Sequence, residues 1–220
     1  MIKCCIFDLD GTLLYTLKTI THYVNLSLCE FGIEPITEEE CRIFIGHGAK
    51  TLILRAIRSK GIDDEALRDR ILEYYNKLYN ANTTYLTEPY DGIPELLSKL
   101  SEKNIKLGVV SNKPDLTTSL AISSFFPGAF DLTRGGMPGI PLKPAPDGIV
   151  DVMSKLGVLP NEVIYIGDTG VDMTAGHAAG VRLVVGCAWG YRDREELLRT
   201  GADVVVDSPL ELLTEVDSVD

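Results

Sequence analysis

The 220-residue chain has no basic surplus: 21 Lys and Arg stand against 32 Asp and Glu, for a formal charge of −11. Nucleic acid is not an expected partner, because releasing counterions from phosphates takes a basic stripe. Anionic membrane surfaces are disfavoured on the same ground. No apolar run nears the ~18 residues of a membrane span. The opening segment MIKCCIFDLDG holds only a short apolar stretch before Asp8, too short for the hydrophobic region of a secretory signal, so the expected compartment is the cytoplasm. The five cysteines (Cys4, Cys5, Cys29, Cys41 and Cys187) show no CxxC spacing and read as reduced, small hydrophobes. His22, His47 and His177 are too scattered for a histidine metal centre. Only His47 stands out, because Gly46 and Gly48 let the backbone approach a ligand closely. The 20 glycines and 11 prolines follow no period, which excludes collagen-like and low-complexity architectures.

What the chain does have is 45% hydrophobic residues, enough for a sizeable core. Residues 3–9, KCCIFDL, form an apolar run of strand length that ends in a carboxylate, and similar runs recur at 105–111, 163–168, 182–186 and 203–207. Continuous runs of this kind suit strands buried on both faces of a parallel sheet. Helical stripes separate them: Ile93, Leu96, Leu97 and Leu100 fall at i, i+3, i+4 and i+7, and further helices are expected near 114–124, 145–157, 171–179 and 208–214. The alternation predicts a doubly wound, Rossmann-like α/β core.

Residues 15–88 break the pattern. They offer helical stripes only, Ile20, Val24, Leu28 and Phe31 in one and Leu67, Ile71, Tyr74 and Leu78 in another. An interval of ~70 residues far exceeds a usual crossover, so the expected organisation is a core of residues 1–14 and 89–220 with a helical insertion, 15–88, after strand 1. Exit from the insertion runs through Glu88-Pro89-Tyr90-Asp91-Gly92.

Open parallel sheets bind ligands outside the carboxyl ends of their strands. Three of these ends carry polar groups: Asp8 to Thr12, Ser111 to Lys113, and Asp168 to Asp172. Singly, each has a structural explanation as a turn or helix cap. Together, Asp8, Asp10 and Asp168 at neighbouring strand ends would repel one another unless a divalent cation lay among them, and hard oxygen ligands favour Mg²⁺. Ser111 and Lys143, the latter pinned before Pro144, would supply a hydrogen bond and a positive charge to phosphoryl oxygens.

DLDGT, the strand-ending Ser111, the pre-proline Lys143 and GDTGVD, in that order, resemble the four motifs of the haloacid dehalogenase superfamily of phosphatases, and the resemblance spans the chain. Within the superfamily, Gly46-His47-Gly48 and the late stretch CAWGYRDREELLRTGADVVVDSPLEL resemble the phosphoglycolate phosphatases. The resemblance implies Asp8 as nucleophile, forming an aspartyl phosphate, and Asp10 as the acid for the leaving alcohol and then the base for water. It implies Mg²⁺ on the Asp8 and Asp168 carboxylates and the Asp10 backbone carbonyl, with Asp172 behind them orienting a water or Lys143. Thr12, Ser111, Asn112 and Lys143 are the implied phosphate contacts. The expected partner is a small phosphorylated metabolite, and the expected assembly a monomer or small homo-oligomer.

Tyr15 departs from the family pattern DGTLxD[ST], which has an aspartate there; none of the implied roles uses that position. The family also contains pyrophosphatases and sugar phosphomutases, which share much of the pattern. Receiver-type signalling domains are a poorer match, since their phosphoacceptor ends a middle strand and they carry no insertion. An inactive binding module would not need Asp10 and Asp168. Trp189 reads as packing, and Arg42, Lys50 and Arg55 as solvated cations of the insertion.

Overall fold

The structure, a computed structural model, describes residues 1–218. Its centre is a six-stranded, wholly parallel sheet. In chain order the strands and helices are β1 (Cys4–Phe7), β2 (Leu14–Tyr15), α1 (Leu17–Glu30), α2 (Glu38–Phe44), α3 (Ala49–Ser59), α4 (Glu65–Ala81), β3 (Glu88–Pro89), α5 (Ile93–Glu102), β4 (Lys106–Pro114), α6 (Asp115–Phe125), β5 (Leu132–Gly136), α7 (Asp147–Leu156), β6 (Val163–Gly167), α8 (Gly170–Ala179), β7 (Leu183–Cys187), α9 (Arg194–Arg199), β8 (Val204–Val206) and α10 (Leu212–Ser218). The sheet order is β5-β4-β1-β6-β7-β8. From β1 the chain winds outward on one side and then returns to build the other, so β1, β4 and β6 lie at the point where the winding reverses.

Both faces of the sheet are buried, which is why the strands are apolar at successive positions. Cys5 and Phe7 face one layer with α5, α6 and α10, while Cys4 and Ile6 face α7 and α8 on the other. The period-2 alternation of a strand thus feeds two cores, and no face remains for water.

In the core, β5 and α9 were not expected from the sequence. Strand β5 contains Leu132-Thr-Arg-Gly-Gly136, with little of the apolar continuity that marks the inner strands. It is an edge strand, partnered only by β4, and solvent on its free side relaxes the demand for hydrophobes. Helix α9 is six residues long, too short to show a stripe.

Between β2 and β3 the chain forms four helices with their own apolar cluster, including Ile20, Val24, Leu28, Ile53, Ile57, Ile71, Tyr75 and Tyr79. Where no strand was expected, β2 and β3 pair antiparallel, Leu14 with Pro89 and Tyr15 with Glu88, so a short ribbon joins the two ends of the interval. Tyr15 packs edge-on against Tyr90 at 6.0 Å between ring centroids. In α4 the buried positions are Arg68, Ile71, Tyr75 and Tyr79; of the expected stripe Ile71 is among them, Leu67 and Leu78 pack partly buried against the same cluster, and Tyr74 gives way to Tyr75.

Ile6, at the sheet centre and fully buried, sets the scale of core packing. Ile6→Ala is expected to destabilise the fold by about 2–5 kcal/mol, whereas Leu120→Ala on exposed α6 surface should change stability by less than about 0.5 kcal/mol. Denaturant unfolding of both variants measures the difference.

Candidate active site

The β1 strand delivers Asp8 to the carboxyl edge of the sheet, where it is buried and its amide donates to the Ile166 carbonyl of β6 (2.8 Å). Gly11 turns the chain at φ +90°, and a side chain there would overlap the Asp168 carboxylate, so only glycine lets this loop close over its neighbour. β6 ends at Gly167, placing the fully buried Asp168 beside β1. Asp172 follows one helical turn later in α8, where its Oδ2 accepts from both the amide (3.1 Å) and the hydroxyl (2.7 Å) of Thr169 and so caps the helix start.

Asp8, Asp168 and Asp172 each offer a carboxylate oxygen, and these oxygens lie within 4.8 Å of one another. One cation stands among them. Lys143 Nζ lies 2.7 Å from Asp8 Oδ1 and 2.7 Å from Asp172 Oδ1, and it donates to the Val110 carbonyl and the Tyr165 hydroxyl (both 3.0 Å). Burial works against its charge, yet Asp172 and then Asp8 hold its pKa well above that of an ordinary lysine. Among the described residues Asp168 has no such partner; it accepts from the Thr12 hydroxyl (3.3 Å) and the Tyr191 amide (2.9 Å). Burial, then the charges of Asp172 and Asp8, push its pKa well above the carboxylate range. Burial likewise carries Asp8 up to about 7 against the pull of Lys143.

With all three buried carboxylates ionised, the one ammonium would leave two negative charges to be met. A hard divalent cation such as Mg²⁺ fits the donor set, so the residues present suit that ion. Asp8 and Asp168 are the carboxylates left to face such an ion, since both oxygens of Asp172 are already taken, Oδ1 by Lys143 and Oδ2 by Thr169. The Asp10 side chain, expected beside them, lies elsewhere: its Oδ1 accepts from the Thr16 hydroxyl (2.7 Å), and both its oxygens take Lys113 Nζ (3.0 and 3.1 Å). Although two positions apart, Asp8 and Asp10 therefore face different lysines, because the chain leaves the strand at Phe7 and turns.

The sequence profile of the haloacid dehalogenase-like hydrolases matches residues 5–185. The chain belongs to that family. It is 33% identical to a phosphoglycolate phosphatase of Haemophilus influenzae over 94% of this chain and 95% of the relative, and 33% identical to one of Aquifex aeolicus over 86% of each. The crystal structure of a predicted phosphoglycolate phosphatase from Haemophilus somnus superposes with a TM-score of 0.89 at 26% identity, covering 97% of both chains.

In this hydrolase the carboxylate edge opens into a cavity of about 60 Å³. It is floored by Asp8, Asp10, Ser111 and Lys143 and roofed by the helical interval through Ile45, Gly46, Leu52, Tyr75 and Tyr79. Ser111 is buried at the cavity wall, its Oγ accepting from the Lys113 amide (3.2 Å). Two expected phosphate contacts are occupied differently. Thr12 donates to Asp168 and does not line the cavity. Asn112 spends its side chain on backbone: Oδ1 accepts from the Lys143 amide, and Nδ2 donates to the carbonyls of Lys143 (2.8 Å) and Gly46 (2.9 Å).

Arg42, Lys50 and Arg55 do not line the cavity; Arg42 pairs with Glu39 and the Tyr191 carbonyl, and Arg55 donates to the Phe44 carbonyl. His47 also lies outside it, while its flanking glycines form part of the lining. Trp189 donates to the Thr12 carbonyl (3.0 Å) and packs on the core. The sequence reading passed over Lys113, Tyr79 and Tyr191 as site residues. Lys113 directly follows Ser111-Asn112, so its position was a signal; Tyr79 arrives from 34 residues away, which no local pattern reports.

Because burial raises Asp8 to about 7, the folded site favours its proton below that pH, and a cation that binds the carboxylate form must displace it. Mg²⁺ affinity is therefore expected to increase as pH rises from about 6 to about 8, with protons released on binding at the lower end. Calorimetry in buffers of differing ionisation enthalpy measures both, and a pH-independent affinity without proton release would be the contrary result.

Proposed function

We propose that this hydrolase cleaves phosphate monoesters of small metabolites, phosphoglycolate first among them, through an aspartyl-phosphate intermediate. The observation that carries the reading is the buried carboxylate cluster of Asp8, Asp168 and Asp172 with Lys143 at the floor of a cavity. The names of the relatives supply the substrate.

A phosphate monoester dianion repels nucleophiles, so catalysis rests on positioning and on charge placed in advance. Lys143 holds Asp8 Oδ1 at 2.7 Å and leaves Oδ2 to attack phosphorus. The new bond joins that oxygen to phosphorus as the bond to the substrate's alkoxide oxygen breaks. Asp10 gives its proton to that oxygen; it then takes a proton from the water that attacks the aspartyl phosphate and returns phosphate and Asp8. Ser111 donates a hydrogen bond to a phosphoryl oxygen, and Lys143 supplies positive charge to the same group. Mg²⁺ would be held by the Asp8 and Asp168 carboxylates and the Asp10 backbone carbonyl. When bound, it neutralises carboxylate and phosphoryl charge, so that Asp8 is anionic at neutral pH. Asp172 keeps Lys143 in place.

Residues 15–88 act as a cap over a core formed by 1–14 and 89–220. A closed cap excludes water and limits the substrate to a few atoms beyond the phosphate, in keeping with the small cavity. Among the described residues no helix is long and apolar enough to cross a membrane; a small soluble metabolite and the cytoplasm fit the reading, with a monomer or small homo-oligomer as the working unit.

Asp8→Asn is expected to lower kcat by ~10⁴-fold or more, and Asp10→Asn by ~10²–10⁴-fold, with the circular dichroism spectrum unchanged in both. Chelation should abolish turnover of 2-phosphoglycolate and added Mg²⁺ restore it. Near-normal rates from Asp8→Asn, or full activity in metal-free protein, would refute the mechanism.

A further inference from the structure

Two cations line the cavity, Lys143 and Lys113, and they differ in what they have left to give. Lys143 is enclosed by Asp8, Asp172, Val110 and Tyr165 and serves the phosphoryl end. Lys113 is also buried. Its Nζ donates to Tyr79 OH (2.9 Å) and lies 4.1 Å from that ring's centroid; its remaining partner is the Asp10 carboxylate. The exposed cations of the helical interval, Lys50 among them, lie off the cavity. A second anionic group on a bound substrate, remote from the phosphate, therefore meets one cation.

We propose that Lys113, backed by Tyr79, is the specificity-determining residue that receives the carboxylate of a phosphorylated carboxylic acid. The inference rests on the phosphatase reading above. Its physical basis is an exchange of like for like. An ammonium already desolvated and paired with one carboxylate can take another of the same charge and shape without itself being desolvated afresh. The Tyr79 hydroxyl and ring keep the ammonium in place during the exchange. Asp10 keeps its hydrogen bond from Thr16 while the ammonium turns to the incoming carboxylate. A monoester without a carboxylate leaves Lys113 on Asp10. No bond other than hydrogen bonds is made or broken in the exchange.

The test uses the Mg²⁺-loaded full chain and two substrates of equal carbon number, 2-phosphoglycolate and ethyl phosphate, for the wild type and for Lys113→Met, Lys113→Arg and Tyr79→Phe. In the wild type, kcat/KM for 2-phosphoglycolate should exceed that for ethyl phosphate by ~10²-fold or more. Lys113→Met should reduce kcat/KM for 2-phosphoglycolate ~50-fold more than for ethyl phosphate, chiefly through KM, and Lys113→Arg should recover most of that difference. Tyr79→Phe should cost a few-fold, about 3–10, on the carboxylate substrate by weakening one hydrogen bond to the ammonium.

Equal losses on both substrates in Lys113→Met would overturn the proposal and make Lys113 a positioning residue for Asp10. A wild-type preference near unity would overturn it without any variant, so a folding failure of Lys113→Met leaves the proposal exposed. Hydrolysis of ethyl phosphate alone would overturn this inference and leave the phosphatase reading standing. Hydrolysis of neither would remove both.

Discussion

The ammonium of Lys143 is the interaction on which the site depends. Three carboxylates cannot be gathered in a desolvated pocket without compensating charge, and Lys143 meets two of them while also bonding a strand carbonyl and a tyrosine hydroxyl. Its place is fixed by the fold more than by its own flexible stem. Strand β5 runs beside β4, the following loop returns the chain to β4, and Asn112 there grips the Lys143 peptide on both sides. Removing the cation would leave Asp172 and Asp8 buried with no positive charge between them, and the carboxyl edges of β1 and β6 would repel.

A chain of net charge −11 is an unpromising host for an anionic substrate. The fold resolves this locally. Buried cations in a low-dielectric pocket act at a strength that surface charge, screened within about a Debye length, does not match. The acidic exterior and the phosphate-binding interior are therefore compatible, and overall charge says little about what the cavity accepts.

Most of the architecture could be read from the residues because the strongest signals were local. Unbroken apolar runs marked β1, β4, β6, β7 and β8, and the polar groups after two of them placed Asp8 and Asp168 on one edge; Ser111, expected to end its strand, lies inside β4, which runs on to Pro114. What escaped was set by tertiary context. Edge strand β5 needs few hydrophobes, and the β2–β3 ribbon is two residues a side. The expected α4 stripe of Leu67, Ile71, Tyr74 and Leu78 did not include Tyr79, whose contact with Lys113 only packing reveals. Thr12 and Asn112 were assigned to the substrate from their positions in motifs, yet one hydroxyl serves Asp168 and one amide holds backbone. Motif position reports proximity to a site; which partner a short polar side chain chooses depends on which backbone groups the fold leaves unsatisfied.

Asn112 joins two regions that are distant in sequence. Its amide nitrogen holds the Gly46 carbonyl of the helical interval and the Lys143 carbonyl of the core at once. With Oδ1 taking the Lys143 amide as well, one short side chain both tethers the roof of the cavity and sets the backbone that carries its deepest cation.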